Sequence, residues 1–304
     1  MKPTLTIIRR IFPSIAFVFL VSASSFAADL LTVVDPATNL WRIQSPNGKS
    51  GYMAIQWGLK GDLQVPADYD GDGVKDVAVW RPSNSTWYIL RSGDSNITRI
   101  QWGQIHDMPV PADYDGDSAA DLAVWRPAEG KWYMLLSSAG FSPSRMSISK
   151  LGNFGDTPVP ADYDGDGATD LAVFRSTEDR WYIANSKTRK LEVHNFASAS
   201  NDVLVPADYT GDGRADLAVF RAGVWLVQDI TTDEMEHFEF GFADSRPVPG
   251  DYDGDGTTDY AAYRNGTWYI YDSGKPRFRA LNFGREGDVP LTSLGAKPSF
   301  VAAR

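Results

Sequence analysis

The chain has 304 residues, no cysteine, 29 basic and 39 acidic residues, and a formal net charge of −10. No disulfide can hold it together, and its acidity argues against nucleic acid as a partner. Its length allows one large or two ordinary domains, and internal periodicity has to decide between them.

Residues 1–27 read as an export signal. Lys2, Arg9 and Arg10 give a positive start, Ile11 to Val21 is apolar, and Ser25-Phe26-Ala27 supplies small residues at a cleavage site expected after Ala27. Arg9-Arg10-Ile11-Phe12 partly matches a twin-arginine signal, against which Pro13 counts. The apolar stretch is too short for a comfortable membrane span and no second one follows. The mature chain, residues 28–304, is therefore expected to be secreted or periplasmic, without membrane insertion. Losing three basic residues leaves 26 against 39 acidic ones, a net of −13.

From residue 31 onward one unit recurs. Trp-centred strands begin at Trp41, Trp87, Trp132, Trp181, Trp225 and Trp268, at intervals of 46, 45, 49, 44 and 43 residues. That period suits a propeller blade of four short strands. Each full unit runs through a Val-Pro-Ala segment, an aspartate loop, an apolar strand such as Val77-Ala78-Val79-Trp80, a turn, the Trp strand, a polar turn and a last strand ending like Gln56-Trp57-Gly58. Apolar β-branched and aromatic runs punctuated by Gly, Pro, Asn and Ser are strand and turn signals, and no helical period separates them. The expected fold is all-β: a single β-propeller of six blades, each of four antiparallel strands. Seven blades would need more chain than this period leaves. The chain opens partway through a unit, where Val33-Val34-Asp35-Pro36 aligns with Val79-Trp80-Arg81-Pro82. It closes with Asn282-Phe283-Gly284, Asp288-Val289-Pro290 and Phe300 to Arg304. Strands from the two termini are thus expected to share one blade, which removes exposed sheet edges.

Five units carry Asp-x-Asp-x-Asp-Gly-x-x-Asp. Carboxylates stand at positions one, three, five and nine, and position seven offers a backbone carbonyl. The candidate ligands are Asp68, Asp70, Asp72, Val74 and Asp76 in the first loop, and Asp113, Asp115, Asp117, Ala119 and Asp121 in the second. The third has Asp162, Asp164, Asp166, Ala168 and Asp170; the fourth Asp208, Thr210, Asp212, Arg214 and Asp216; the fifth Asp251, Asp253, Asp255, Thr257 and Asp259. Calcium takes six to eight oxygen ligands at flexible geometry, which such a loop supplies. Position twelve, where an EF-hand places glutamate, is Val79 or Val124, and a strand follows instead of a helix. Plain Asp-Gly hairpin turns do not account for four spaced carboxylates repeated along the chain. The loops hold 19 acidic residues, and five Ca²⁺ ions would bring the net charge from −13 to about −3. Two loops depart from the pattern: Ser118 replaces the position-six glycine, and Thr210 replaces the position-three aspartate, so the fourth loop is expected to bind weakest.

With these loops in their Trp-strand context, the sequence resembles the FG-GAP or VCBS repeat proteins over roughly residues 31–304. The resemblance implies a propeller with calcium, usually structural, in loops between the first and second strands of a blade. It implies no single activity. Catalytic signals are sparse: His106, His194 and His237 read as turn or surface residues, and neither a nucleophile motif nor a zinc pair is present. Arg81, Arg126, Arg175, Arg221 and Arg264 follow an aromatic in successive units, and Asp62, Asp107, Asp156, Asp202 and Asp288 precede the Val-Pro segment. The expectation is inter-blade Arg–Asp pairing with aromatic packing; the sharper alternative is a glycan pocket between blades, repeated around the ring. The leading functional expectation is a secreted, non-catalytic binding or adhesion module for a glycan or an extracellular or periplasmic protein. The alternatives are a polysaccharide lyase or hydrolase using the channel, and a purely structural envelope protein.

Overall fold

The computed structural model describes residues 28–47, 51–196, 199 and 201–292; the expected signal segment and Phe300 to Arg304 lie outside them. Among the described residues there are six four-stranded antiparallel sheets and no α-helix. The expected six-bladed propeller is therefore present. Blade 2 shows the plan: β4 (Leu63–Gln64), β5 (Val77–Arg81), β6 (Thr86–Leu90) and β7 (Ile97–Gln101) run outward from the axis in chain order. Blade 1 is the shared one. Its inner strand β24 (Val289–Leu291) pairs with β1 (Leu31–Asp35), setting Val33 opposite Pro290 and Val34 opposite Val289.

Burial follows position in the blade. Residues 77–80 of β5 are buried on both faces, because sheets pack against this strand from both sides. The outer β7 alternates exposed with partly buried residues, the period of a strand with one wet face. Cross-strand aromatic pairs fill the middle: Trp80 opposite Trp87, Trp125 opposite Trp132, Phe174 opposite Trp181, Phe220 opposite Trp225 and Tyr263 opposite Trp268. Seven of these ten rings belong to tryptophans that are at most 1% exposed, and truncating one such side chain to alanine costs about 3–5 kcal/mol. A buried indole N–H needs an acceptor, and the residue after the outer strand supplies it for six of these seven tryptophans, whereas Trp181 Nε1 has none. Trp80 and Trp87 both donate Nε1–H to the Trp102 carbonyl (3.0 and 3.2 Å), and Trp125 and Trp132 both donate to that of Leu151.

The innermost strands enclose a channel of about 770 Å³ walled by Val and Pro side chains, among them Val65, Pro66, Val110, Pro160, Val248 and Pro290. Because successive strands are antiparallel, the loops after the first and third strands of blades 2–6 lie at one end of the ring. The turns after the second strand, and the connections to the next blade, lie at the other. The aspartate loops occupy the first of these ends.

Candidate metal centres in the aspartate loops

Each loop is held by its first and last aspartates. Asp68 Oδ1 accepts from the Gly71 and Asp72 amides (2.7 and 3.2 Å), and Oδ2 accepts from Gly73 (2.7 Å); Asp113, Asp162, Asp208 and Asp251 repeat the arrangement. The wrap requires left-handed backbone at position six, φ +83° at Gly73. Ser118 holds the same conformation at φ +70°, a strained choice for a residue with a Cβ. The position-nine aspartates are at most 1% exposed. Asp76 Oδ2 accepts from the Tyr69 amide (2.9 Å) and Oδ1 from that of Ser92 (2.6 Å). Burial pushes the carboxyls of Asp76 and Asp170 up to about 6 and those of Asp121, Asp216 and Asp259 up to about 7. The tyrosine at position two anchors the loop to the core: Tyr69 donates its hydroxyl hydrogen to Val65 O and sets its ring edge-on to Trp87.

The carboxylates converge. In the first three loops positions one, three and nine bring oxygens within 4.8 Å of one another: Asp68, Asp70 and Asp76; Asp113, Asp115 and Asp121; Asp162, Asp164 and Asp170. In the fifth loop the gathered set is Asp251, Asp253 and Asp255. The position-five carboxylates are oriented from position seven, whose amides at Val74, Ala119, Ala168, Arg214 and Thr257 donate to Asp72, Asp117, Asp166, Asp212 and Asp255. Burial, then neighbouring carboxylates, raises the pKa of Asp70, Asp164 and Asp253. These sites resist carrying their own negative charge. The donor set fits a hard cation: it is all oxygen, and Asp70 Oδ1 and Asp216 Oδ1 are buried without a hydrogen-bond donor. The fourth loop differs as Thr210 foretold, since it brings no three carboxylates together; the Thr210 hydroxyl lies 3.5 Å from Asp208 Oδ1.

Three features were not expected. First, a serine after the third strand of the blade leans into the loop. Ser92 Oγ lies 3.0 and 2.9 Å from the two carboxylate oxygens of Asp72 and 3.2 Å from Val74 O. Second, the loops are linked head to tail. The position-one carbonyls of Asp68, Asp113, Asp162 and Asp208 accept from the position-eight amides of Ala120, Thr169, Ala215 and Thr258 in the next loop, at 2.6–2.7 Å. Third, Asp29 closes this circle where blade 1 has no aspartate loop: its amide donates to Asp251 O (2.6 Å), its Oδ2 accepts from the Asp251 amide, and its Oδ1 pairs with Lys75 of the first loop.

The repeated arginines lie at the opposite end. The expected inter-blade pairing is corrected in detail: Arg81, Arg126, Arg175 and Arg221 each grip an aspartate of their own unit, Asp62, Asp107, Asp156 and Asp202, through Nε and Nη2 at 2.7–3.0 Å. Each of these aspartates sits on the connection entering that blade. Arg81, Arg126 and Arg175 also lie 4.1–4.4 Å above the rings of Tyr88, Tyr133 and Tyr182. Asp288 pairs instead with Arg42 (2.8 Å, both buried), because Asp35 occupies the arginine position of blade 1. Arg264 approaches Asp244 at 2.8 Å, but its buried Nε–H is not aimed at the carboxylate, so this is an ion pair without a hydrogen bond. The aromatics preceding these arginines, Trp80, Trp125, Phe174, Phe220 and Tyr263, are at most 4% exposed, which leaves them unable to line a glycan pocket.

Comparison with known proteins agrees with this architecture. A lectin from Agrocybe aegerita, described as recognising non-reducing terminal N-acetylglucosamine, superposes with a TM-score of 0.57 at 16% identity, over 86% of this chain and 84% of that one. TolB from Acinetobacter baumannii gives a TM-score of 0.60 at 15% identity; the match covers 88% of this chain but 65% of TolB. A virginiamycin B lyase from Staphylococcus aureus gives 0.51 at 8% identity, over 85% and 86%. At these identities the likeness is one of fold. No curated protein matches by sequence. The FG-GAP-like repeat family matches over residues 68–124, 113–173 and 162–219, half of the chain and four of its five aspartate loops, and the chain belongs to that family.

Proposed function

We propose that this is a secreted or periplasmic propeller that binds calcium at the ligands named for its five loops, with export directed by residues 1–27. On this reading it acts as a non-catalytic binding module for a glycan or an extracellular protein. Calcium suits an all-oxygen set of three carboxylates, a carbonyl and further oxygens better than a transition metal does. Ions that bind only the folded chain would supply the stability that cysteine-bearing exported proteins draw from disulfides.

One observation carries the binding half of the reading. The end of the ring opposite the loops presents a large apolar side chain on most of its blade connections: Leu59, Ile105, Phe154 and Phe242 are 52, 62, 85 and 40% exposed. The connections differ in sequence while the blades beneath them repeat, so specificity has room to reside there. Such side chains are what a sugar face or a protein hot spot packs against. The lectin among the structural neighbours shows that this architecture can serve sugar recognition. A glycan array probed with the calcium-loaded protein and with Phe154→Ser tests it: binding to a defined sugar that the variant loses supports the module. Silence on the array together with depolymerisation of a polysaccharide would replace it with an enzyme.

A further inference from the structure

We infer that a serine lying outside the aspartate motif, five residues after the blade tryptophan, supplies an additional oxygen ligand in four of the five metal centres, which makes the fourth-loop centre a different kind of site. This rests on the reading that the loops hold calcium, and adds ligands that the loop motif does not contain.

The serines are Ser92, Ser137, Ser186 and Ser273. Ser137 Oγ stands 2.8 and 2.7 Å from the carboxylate oxygens of Asp117, 3.4 Å from Ala119 O and 3.1 Å from Asp121 Oδ1. Those acceptors are the position-five, position-seven and position-nine ligands. A hydroxyl has one hydrogen to give, so three of the four contacts join electron-rich oxygens with no proton between them. A cation among them resolves the conflict. Oxygens bound to one calcium at 2.3–2.6 Å stand roughly 3 Å apart, the spacing found here. Ser92 shows the same crowding against Asp72 and Val74; Ser273 meets Thr258 O (3.0 Å) and Asp259 Oδ1 (3.2 Å), and Ser186 meets Asp166 Oδ2 (2.9 Å).

The fourth loop provides the internal contrast. There the fifth residue after Trp225 is Ile230. Fully buried Asp216 accepts from the Tyr209 and Thr210 amides through Oδ2, while its Oδ1 has no partner. In the other loops the corresponding Oδ1 accepts from the serine amide at 2.6–2.9 Å. Thr231, one residue later, makes a single 3.3 Å contact to Asp212. The blade that lost the position-three carboxylate has thus also lost the serine.

The test replaces the four serines with alanine and loads both proteins with terbium, whose luminescence lifetimes in H₂O and D₂O count bound waters. The serine amides survive this substitution, so loop geometry is retained. The expected result is a rise of about four-fifths of a water per ion, averaged over five sites, with weaker calcium binding at four of them. Unchanged hydration with weakened binding would mean that the serines only position Asp117 and its equivalents, and would overturn the inference. If the fourfold variant does not fold, a crystal structure of the calcium-loaded wild type decides: Ser137 Oγ at 2.3–2.6 Å from the ion supports the assignment, and a distance beyond 3.5 Å refutes it. In Ile230→Ser the weakest step of a calcium titration should tighten about tenfold. Failure of the wild type to bind either ion would sink the calcium reading itself, a separate outcome.

Discussion

Replacing Arg126 with methionine tests whether the arginine clamps are structural elements or surface decoration. The methionine keeps most of the apolar stem and removes the guanidinium. Asp107, whose side chain is 2% exposed, then retains only the Gln104 amide, having lost two bonds of 2.8 and 3.0 Å. Removing one partner of a buried ion pair costs about 3–5 kcal/mol, because an uncompensated charge stays behind. For a domain of this size, that is a fall in Tm of roughly 6–20 °C. Arg264→Met removes the equivalent residue where the partner, Asp244, is 62% exposed, and exposed pairs contribute about 0–1 kcal/mol. Urea unfolding in saturating calcium measures both, with the double variant Arg126→Met/Asp107→Asn expected to recover part of the loss. Equal destabilisation by the two arginine variants would refute the reasoning, since it would show that burial of the partner does not set the cost.

Three further outcomes follow from the loops. In ion-free protein the position-nine carboxyls, raised from 3.8 to about 6 or 7, hold their protons longer folded than unfolded, so stability should fall as pH rises from about 4 to 7. Melting curves across that range should show the decline without calcium and lose it with calcium; a rise with pH in the ion-free protein would contradict the burial argument. Asp29→Ala breaks the circle of loops at its closure and should cost about 1–2 kcal/mol in urea unfolding, whereas no change would mean that the loops do not depend on the link. Asp164→Ala should remove one calcium from the titration stoichiometry, while Asp179→Ala, in an exposed turn away from the loops, should remove none.

Much of this was legible because repetition averages out local ambiguity. A single Trp-Tyr-Ile segment could be many things, but six tryptophans at intervals of 43–49 residues fix the blade, and Val33-Val34-Asp35 aligned with Val79-Trp80-Arg81 placed the chain start inside one. The same averaging misled where blades differ. Asp35 in the arginine position left Asp288 without its expected partner, and Arg42, standing where four of the other blades carry tyrosine, reaches it instead. The serines escaped notice for the opposite reason: a serine in a polar turn is ordinary, although its fixed offset of five from tryptophan in four loop-bearing blades was a signal. Asp29 carries no motif at all, since its role arises from ring closure and becomes visible only once residue 251 lies beside it.

Thermal unfolding of ion-free protein during calcium titration tests most directly the proposal that calcium in the loops holds the ring together. Each site filled at a hundredfold excess over its Kd adds about 2.7 kcal/mol, so several sites should raise Tm by more than about 10 °C, with saturation near five ions per chain and the last bound most weakly. A melting temperature unmoved by calcium, with no ion bound, would contradict the account.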